Sequence, residues 1–108
     1  MTKAKACGLI GKWRITEADL WDRDHLDLVT PAQITFDDNG HGEITFGCLT
    51  AGLDCQYGQK IIFFTWQGCD EMDEVQGDGS AELQDDGTLE IEFRYHLGDE
   101  AILMAQKL

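Results

Sequence analysis

The sequence predicts an all-β domain, a small antiparallel meander of about eight strands that closes or nearly closes into a β-barrel. Three observations carry this. First, 12 glycines and a single proline punctuate short runs rich in Ile, Phe, Trp, Thr and Tyr, the texture of strands joined by turns. Second, apolar and polar residues alternate with period two, most cleanly where Leu89, Ile91, Phe93 and Tyr95 interleave with Glu90, Glu92, Arg94 and His96, and no segment shows a 3.6-residue period. Third, the connections are short, which favours a meander over the crossovers of a sandwich, and closure of a meander removes both exposed edges.

The first strand is read over Gly11 to Trp21. Extended, it places Trp13, Ile15, Glu17, Asp19 and Trp21 on one face. Two carboxylates therefore share a side with two tryptophans, and buried carboxylates are expensive unless paired. Either Glu17 and Asp19 face a polar interior site, or a β-bulge near Glu17 turns them to solvent. Residues 22 to 31 form a polar connection, long enough for a helical turn, that serves as a loop or lid. Ala32 to Asp37 alternates as a strand, and Asp37-Asp38-Asn39-Gly40 signals a tight hairpin turn into Gly42 to Thr50. A turn near Ala51-Gly52 leads to a strand carrying Leu53, Cys55 and Tyr57, and the next turn spans Tyr57 to Lys60.

Ile61 to Trp66 is apolar on both faces, so it is either the most buried strand or one whose outer face the 22 to 31 loop covers. The acidic block Asp70 to Glu74 reads as a solvated loop. Gly77, Gly79, Ala81 and Leu83 share one face of a strand with little side-chain bulk, and something else must fill that space. Asp85-Asp86-Gly87 turns the chain into the strand at 88 to 96, and Leu97 to Glu100 turns it into the last strand, Ala101 to Gln106.

The 108 residues suffice for one domain, with residues 1–10 as an N-terminal segment and 11–106 as the barrel. A formal net charge of -13 opposes phosphate backbones and anionic lipid, so nucleic-acid and membrane partners are not expected. No run approaches the roughly 18 apolar residues of a membrane span, and none near Met1 makes a signal peptide. The expectation is a cytoplasmic protein. Cys7, Cys48, Cys55 and Cys69 contain no C-x-x-C pair and read as free thiols.

Gly11-Lys12-Trp13 resembles the G-x-W signature of lipocalins and other calycins, which implies a reduced calycin-like barrel that binds a small molecule. A broader resemblance runs from residue 11 to 105. Its pattern includes Trp13-Arg14-Ile15-Thr16-Glu17, Trp21-Asp22, Asp27-Leu28, Phe36, Phe46-Gly47 and Asp54. It continues through Phe64-Thr65-Trp66-Gln67-Gly68, Asp70-Glu71-Met72-Asp73, Gly77-Asp78-Gly79 and His96-Leu97-Gly98-Asp99. These motifs resemble an uncharacterised family of short acidic bacterial proteins, which implies no established activity. Ser80 departs from that pattern, which has tryptophan there.

The leading functional expectation is a non-enzymatic barrel that binds a small molecule or peptide. Its site is drawn from Trp13, Glu17, Asp19, Trp21, Trp66, Gly77, Gly79, Tyr95 and His96, because a glycine-lined strand opposite large aromatics leaves room for a ligand. The alternative is a protein–protein interaction module or homodimer with a packed interior, its partner seated on the outer face of 61 to 65. No cofactor and no metal are expected. His25, His41 and His96 lack the close spacings of zinc sites, and Asp37 to Cys48 lacks the terminal glutamate of a calcium loop. His96 is the best general-base candidate, yet no nucleophile motif or phosphate-cradling glycine pattern accompanies it.

Overall fold

In the computed structural model, which describes residues 8–108, the period-two alternation closes on itself. Strands β1 (Gly11–Ala18), β2 (Gln33–Phe36), β3 (His41–Phe46), β4 (Leu49–Tyr57), β5 (Ile61–Asp70), β6 (Asp73–Leu83), β7 (Leu89–Tyr95) and β8 (Glu100–Lys107) pair in sequence order. β8 also pairs with β1, so the sheet is a closed, all-antiparallel eight-stranded barrel. One short helix, α1 (Arg23–Leu26), lies in the β1–β2 connection. No helix among the described residues is long and apolar enough to cross a membrane.

Side chains fill the barrel. Inward positions of every strand contribute, among them Trp13, Ile34, Ile44, Leu53, Phe64, Ala81, Phe93 and Leu103, all buried, as expected when eight strands leave an interior just wide enough for side chains. Both ends are stoppered. Leu9, fully buried, accepts a 3.0 Å hydrogen bond on its carbonyl from the Trp13 indole Nε1 at one end. At the other end α1 drops the fully buried Leu26 into the core. The expected interior ligand space is thus occupied by the chain itself.

The conflict in the first strand is resolved by a bulge. Ile15 lies opposite Ala105 and Glu17 opposite Met104, with a register shift between them. The extra residue, Thr16, inverts the alternation. Trp13 and Ile15 point inward, Glu17 is exposed, and Ala18 returns to the core side opposite Leu103. Glu17 and Asp19 therefore do not face the interior. Asp19 extends the ladder at the surface, its backbone N–H donating to the Ile102 carbonyl and its carboxylate accepting from the Ile102 N–H at 2.8 Å.

Two turns and the burial of one strand differ from the sequence reading. The turn placed at Ala51-Gly52 lies at Gly47-Cys48, where Gly47 takes φ 56, so Leu49 to Tyr57 is one strand. The acidic block Asp70 to Glu74 is not a loop: β5 and β6 pair to their ends at Asp70 and Asp73. Glu71 and Met72 alone make the turn, with φ 52 and 83. Two positive φ angles define a type I′ hairpin, which strand twist favours but which Asn-Gly normally supplies; each left-handed non-glycine residue costs about 1 kcal/mol. Lastly, β5 is not apolar-buried on both faces. Ile62, Phe64 and Trp66 point inward, and Phe63 points outward, 53% exposed and not covered by the 22 to 31 connection.

The low bulk of β6 is accounted for by β5. A Cβ at Gly77 would meet the Arg94 carbonyl oxygen at 1.8 Å and the Trp66 ring at 2.9 Å, and one at Gly79 would meet the Phe64 ring at 2.8 Å. The two rings of β5 lie against the bare β6 backbone, so the glycines accommodate the protein's own aromatics. Replacing Gly77 with alanine must push β6 away from both β7 and Trp66. Urea unfolding of Gly77→Ala is expected to show a loss of about 3 kcal/mol; a loss within about 0.5 kcal/mol would contradict this packing.

Candidate functional site

In an antiparallel meander the odd-numbered connections gather at one end. Here that end receives the β1–β2 connection with α1, the Gly47-Cys48 turn, the Glu71-Met72 turn and the β7–β8 turn. Between them lies an open cleft of about 470 Å³. Its walls are Trp21 and His25 from the α1 connection, Cys48, Asp70 and Glu71 from the hairpin ends, and Tyr95, His96, Gly98 and Asp99 from the last turn, with Phe46 beneath.

The α1 connection is fixed by two carboxylates, Asp22 and Asp27. Asp22 caps the helix by accepting from the His25 N–H at 2.9 Å. Asp27, just past the helix, accepts from Arg14 Nη2 of β1 at 2.6 Å through one oxygen and from the Ala32 N–H at 2.9 Å through the other. The Gly47 N–H donates to the Leu26 carbonyl at 2.8 Å, tying the helix to the β3–β4 turn. These bonds hold Trp21 over the barrel end. Its indole packs on Phe46 at 5.1 Å and stacks with the His25 imidazole at 5.8 Å.

On the opposite wall the Tyr95 ring meets Trp66 edge-on at 5.0 Å. Trp66 in turn stacks on Phe93 at 4.6 Å and donates from Nε1 to the Arg94 carbonyl at 3.1 Å. The cleft floor is therefore continuous with the core.

Its electrostatics are one-sided. No lysine or arginine lines the cleft, whereas Asp70, Glu71 and Asp99 do. Their field is felt by neighbouring groups. Burial, followed by the charges of Asp70 and Asp99, pushes the Tyr95 phenol up to about 12. Burial, then the hydrogen bond and charge of Glu71, and then Asp70, raise the Cys48 thiol. A thiol so raised is a poor nucleophile at neutral pH. Among the described residues no group of three or more His, Cys, Asp or Glu side chains is arranged to hold a metal ion.

Of the residues singled out from the sequence, Trp21, Tyr95 and His96 line this cleft, and Trp66 supports its floor. Gly77, Trp66 and His96 also border a shallow depression of about 440 Å³ on the outer wall above Gly52, and Gly79 borders a neighbouring one beside Arg94. Glu17 lies in a surface groove with Trp21 and Arg23, outside the cleft. Trp13 is at the far end of the barrel, beside Leu9. Sequence reasoning missed His25, Phe46, Cys48, Asp70, Glu71 and Asp99. The signal available was their position at the odd-numbered turns, which the meander topology brings together. Cys7 lies outside the described residues.

Comparison with known protein families, with curated proteins and with solved structures finds no match to this chain. The site is therefore read from its own chemistry.

The raised Tyr95 pKa has a definite sign. Because the folded value lies above the ordinary 10.0, the neutral phenol favours the fold. That contribution is complete below pH 10 and is lost as pH rises toward about 12. Ultraviolet titration of tyrosinate, with the Tyr95 phenol read as the difference between the wild-type protein and Tyr95→Phe, should show it ionising well above its ordinary value; ionisation near that ordinary value would contradict the buried, acid-flanked placement.

Proposed function

We propose that the protein is a non-enzymatic binding module that takes an organic cation, an amine or guanidinium group, in the cleft at the α1 end of the barrel. One observation carries this reading: Asp70, Glu71 and Asp99 converge with the half-buried rings of Trp21 and Tyr95 in a cleft that no lysine or arginine lines. Carboxylates supply charge and hydrogen-bond acceptors, and aromatic faces attract a cation through their quadrupole. The packed interior and its two stoppers favour this surface site over a ligand held inside the barrel. The raised thiol of Cys48, its ionisation opposed by burial and by the neighbouring Glu71 and Asp70, favours binding over covalent catalysis.

Magnitudes bound the affinity. An exposed ion pair contributes about 0.2–1 kcal/mol, and a cation–π contact about 1 kcal/mol. Together these give a free amine an affinity of about 1 mM or weaker.

Titration with agmatine, followed by amide and indole N–H shifts, tests the reading. Saturable shifts are expected at Trp21, Asp70, Tyr95 and Asp99, and Asp70→Asn with Asp99→Asn should weaken binding about tenfold. An absence of saturable shifts at these positions, or an unchanged affinity in the double variant, would refute it.

A further inference from the structure

The turns around the cleft carry a second feature that the binding of a free amine does not use. Met72 and Leu97 are each 96% exposed. Each also occupies a left-handed conformation, φ 83 and φ 56 respectively, where glycine or asparagine would fit without strain. Neither folding nor solubility is served by a large apolar side chain at such a position. Both flank cleft residues directly, Met72 beside Glu71 and Leu97 between His96 and Gly98. The β1–β2 connection adds Leu20, Leu28 and Val29 at the same end. Of the seven large hydrophobic residues exposed among the described ones, five lie there, and only Phe63 and Leu108 lie elsewhere.

An apolar rim around an acidic cleft is complementary to a basic residue embedded in an apolar segment. We infer that the α1 end of the barrel docks a segment of another protein in which an arginine or lysine, flanked by large apolar side chains, enters the cleft while its neighbours cover Met72 and Leu97. This rests on the reading of the cleft as a cation site and names the partner that presents the cation. A lipid surface is the other partner that exposed apolar turns could meet. It is disfavoured by the charges beside the same tips, Asp70, Glu71, Asp73, Asp99 and Glu100, and by the net charge of -13. A peptide carrying its own cation turns that field into attraction.

The test uses two fluorescein-labelled peptides, Gly-Leu-Phe-Arg-Leu-Gly and Gly-Ser-Ser-Arg-Ser-Gly, alongside agmatine. The apolar peptide should bind at least about tenfold more tightly than the serine peptide, from the apolar surface it buries. In the double variant Met72→Gly/Leu97→Gly that advantage should disappear while agmatine affinity stays unchanged. The variant should melt at or above the wild-type temperature, since glycine suits both backbone positions, so lost binding would not reflect lost folding. Equal affinity for the two peptides, an advantage that survives in the variant, or sedimentation with phosphatidylserine vesicles in place of peptide binding would overturn the docking inference. If agmatine still titrates the cleft in those cases, the cation site stands and only the docking fails. If agmatine and both peptides fail together, the cleft reading itself has failed.

Discussion

The Phe93 ring is the contact on which the rest of the structure depends. Fully buried on β7, it stacks against Trp66 at 4.6 Å and receives Phe46 and Tyr95 edge-on at 5.4 and 5.6 Å, with Phe64 at 6.5 Å. Aromatic pairs in such geometry contribute about 0.5–1.5 kcal/mol each beyond the area they bury. What matters more is where the chain of rings leads. Phe46 carries it to Trp21 and His25 on the α1 side, and Trp66 carries it to Tyr95 on the other. One buried ring thereby positions both walls of the cleft, and the site sits on the core and not on independent loops.

That arrangement explains why β6 is poor in side chains. Trp66 and Phe64 can reach Phe93 because Gly77 and Gly79 let their rings rest on the β6 backbone. The glycines, the aromatic run of β5 and the clean alternation of β7 form one packing unit. Asp27 is the corresponding fixture on the surface. It joins β1 through Arg14 and the start of β2 through Ala32, so the connection that bears Trp21 and plugs the barrel with Leu26 cannot swing freely.

Much of the architecture was legible in the sequence, because period-two alternation at 88 to 96 and turn signals at Asn39-Gly40 and Asp86-Gly87 are local properties that survive folding. The bulge at Thr16 was readable as the resolution of a conflict, two carboxylates on a tryptophan face, although alternation alone could not choose between bulge and polar interior. Gly77 and Gly79 signal space beside β6, but the sequence does not show that the Trp66 and Phe64 rings of the neighbouring strand lie against them. The Glu71-Met72 turn was hidden for a different reason. Neither residue favours positive φ, so a solvated acidic loop was the natural reading of Asp70 to Glu74, and only the register of β5 on β6 reveals a two-residue hairpin. The cleft itself is a property of topology, assembled from four turns that are distant in sequence.

The central claim is that the barrel interior is full and sealed, leaving the acidic, aromatic cleft outside it as the place for a partner. Xenon binding followed by methyl NMR tests this most directly, since xenon enters apolar cavities large enough to hold it. A full, sealed interior gives no saturable shift at the methyls of Ile34, Ile44, Ile62, Ile91 and Leu103, all fully buried in the core. Saturable shifts at those methyls would show an accessible interior cavity and contradict it.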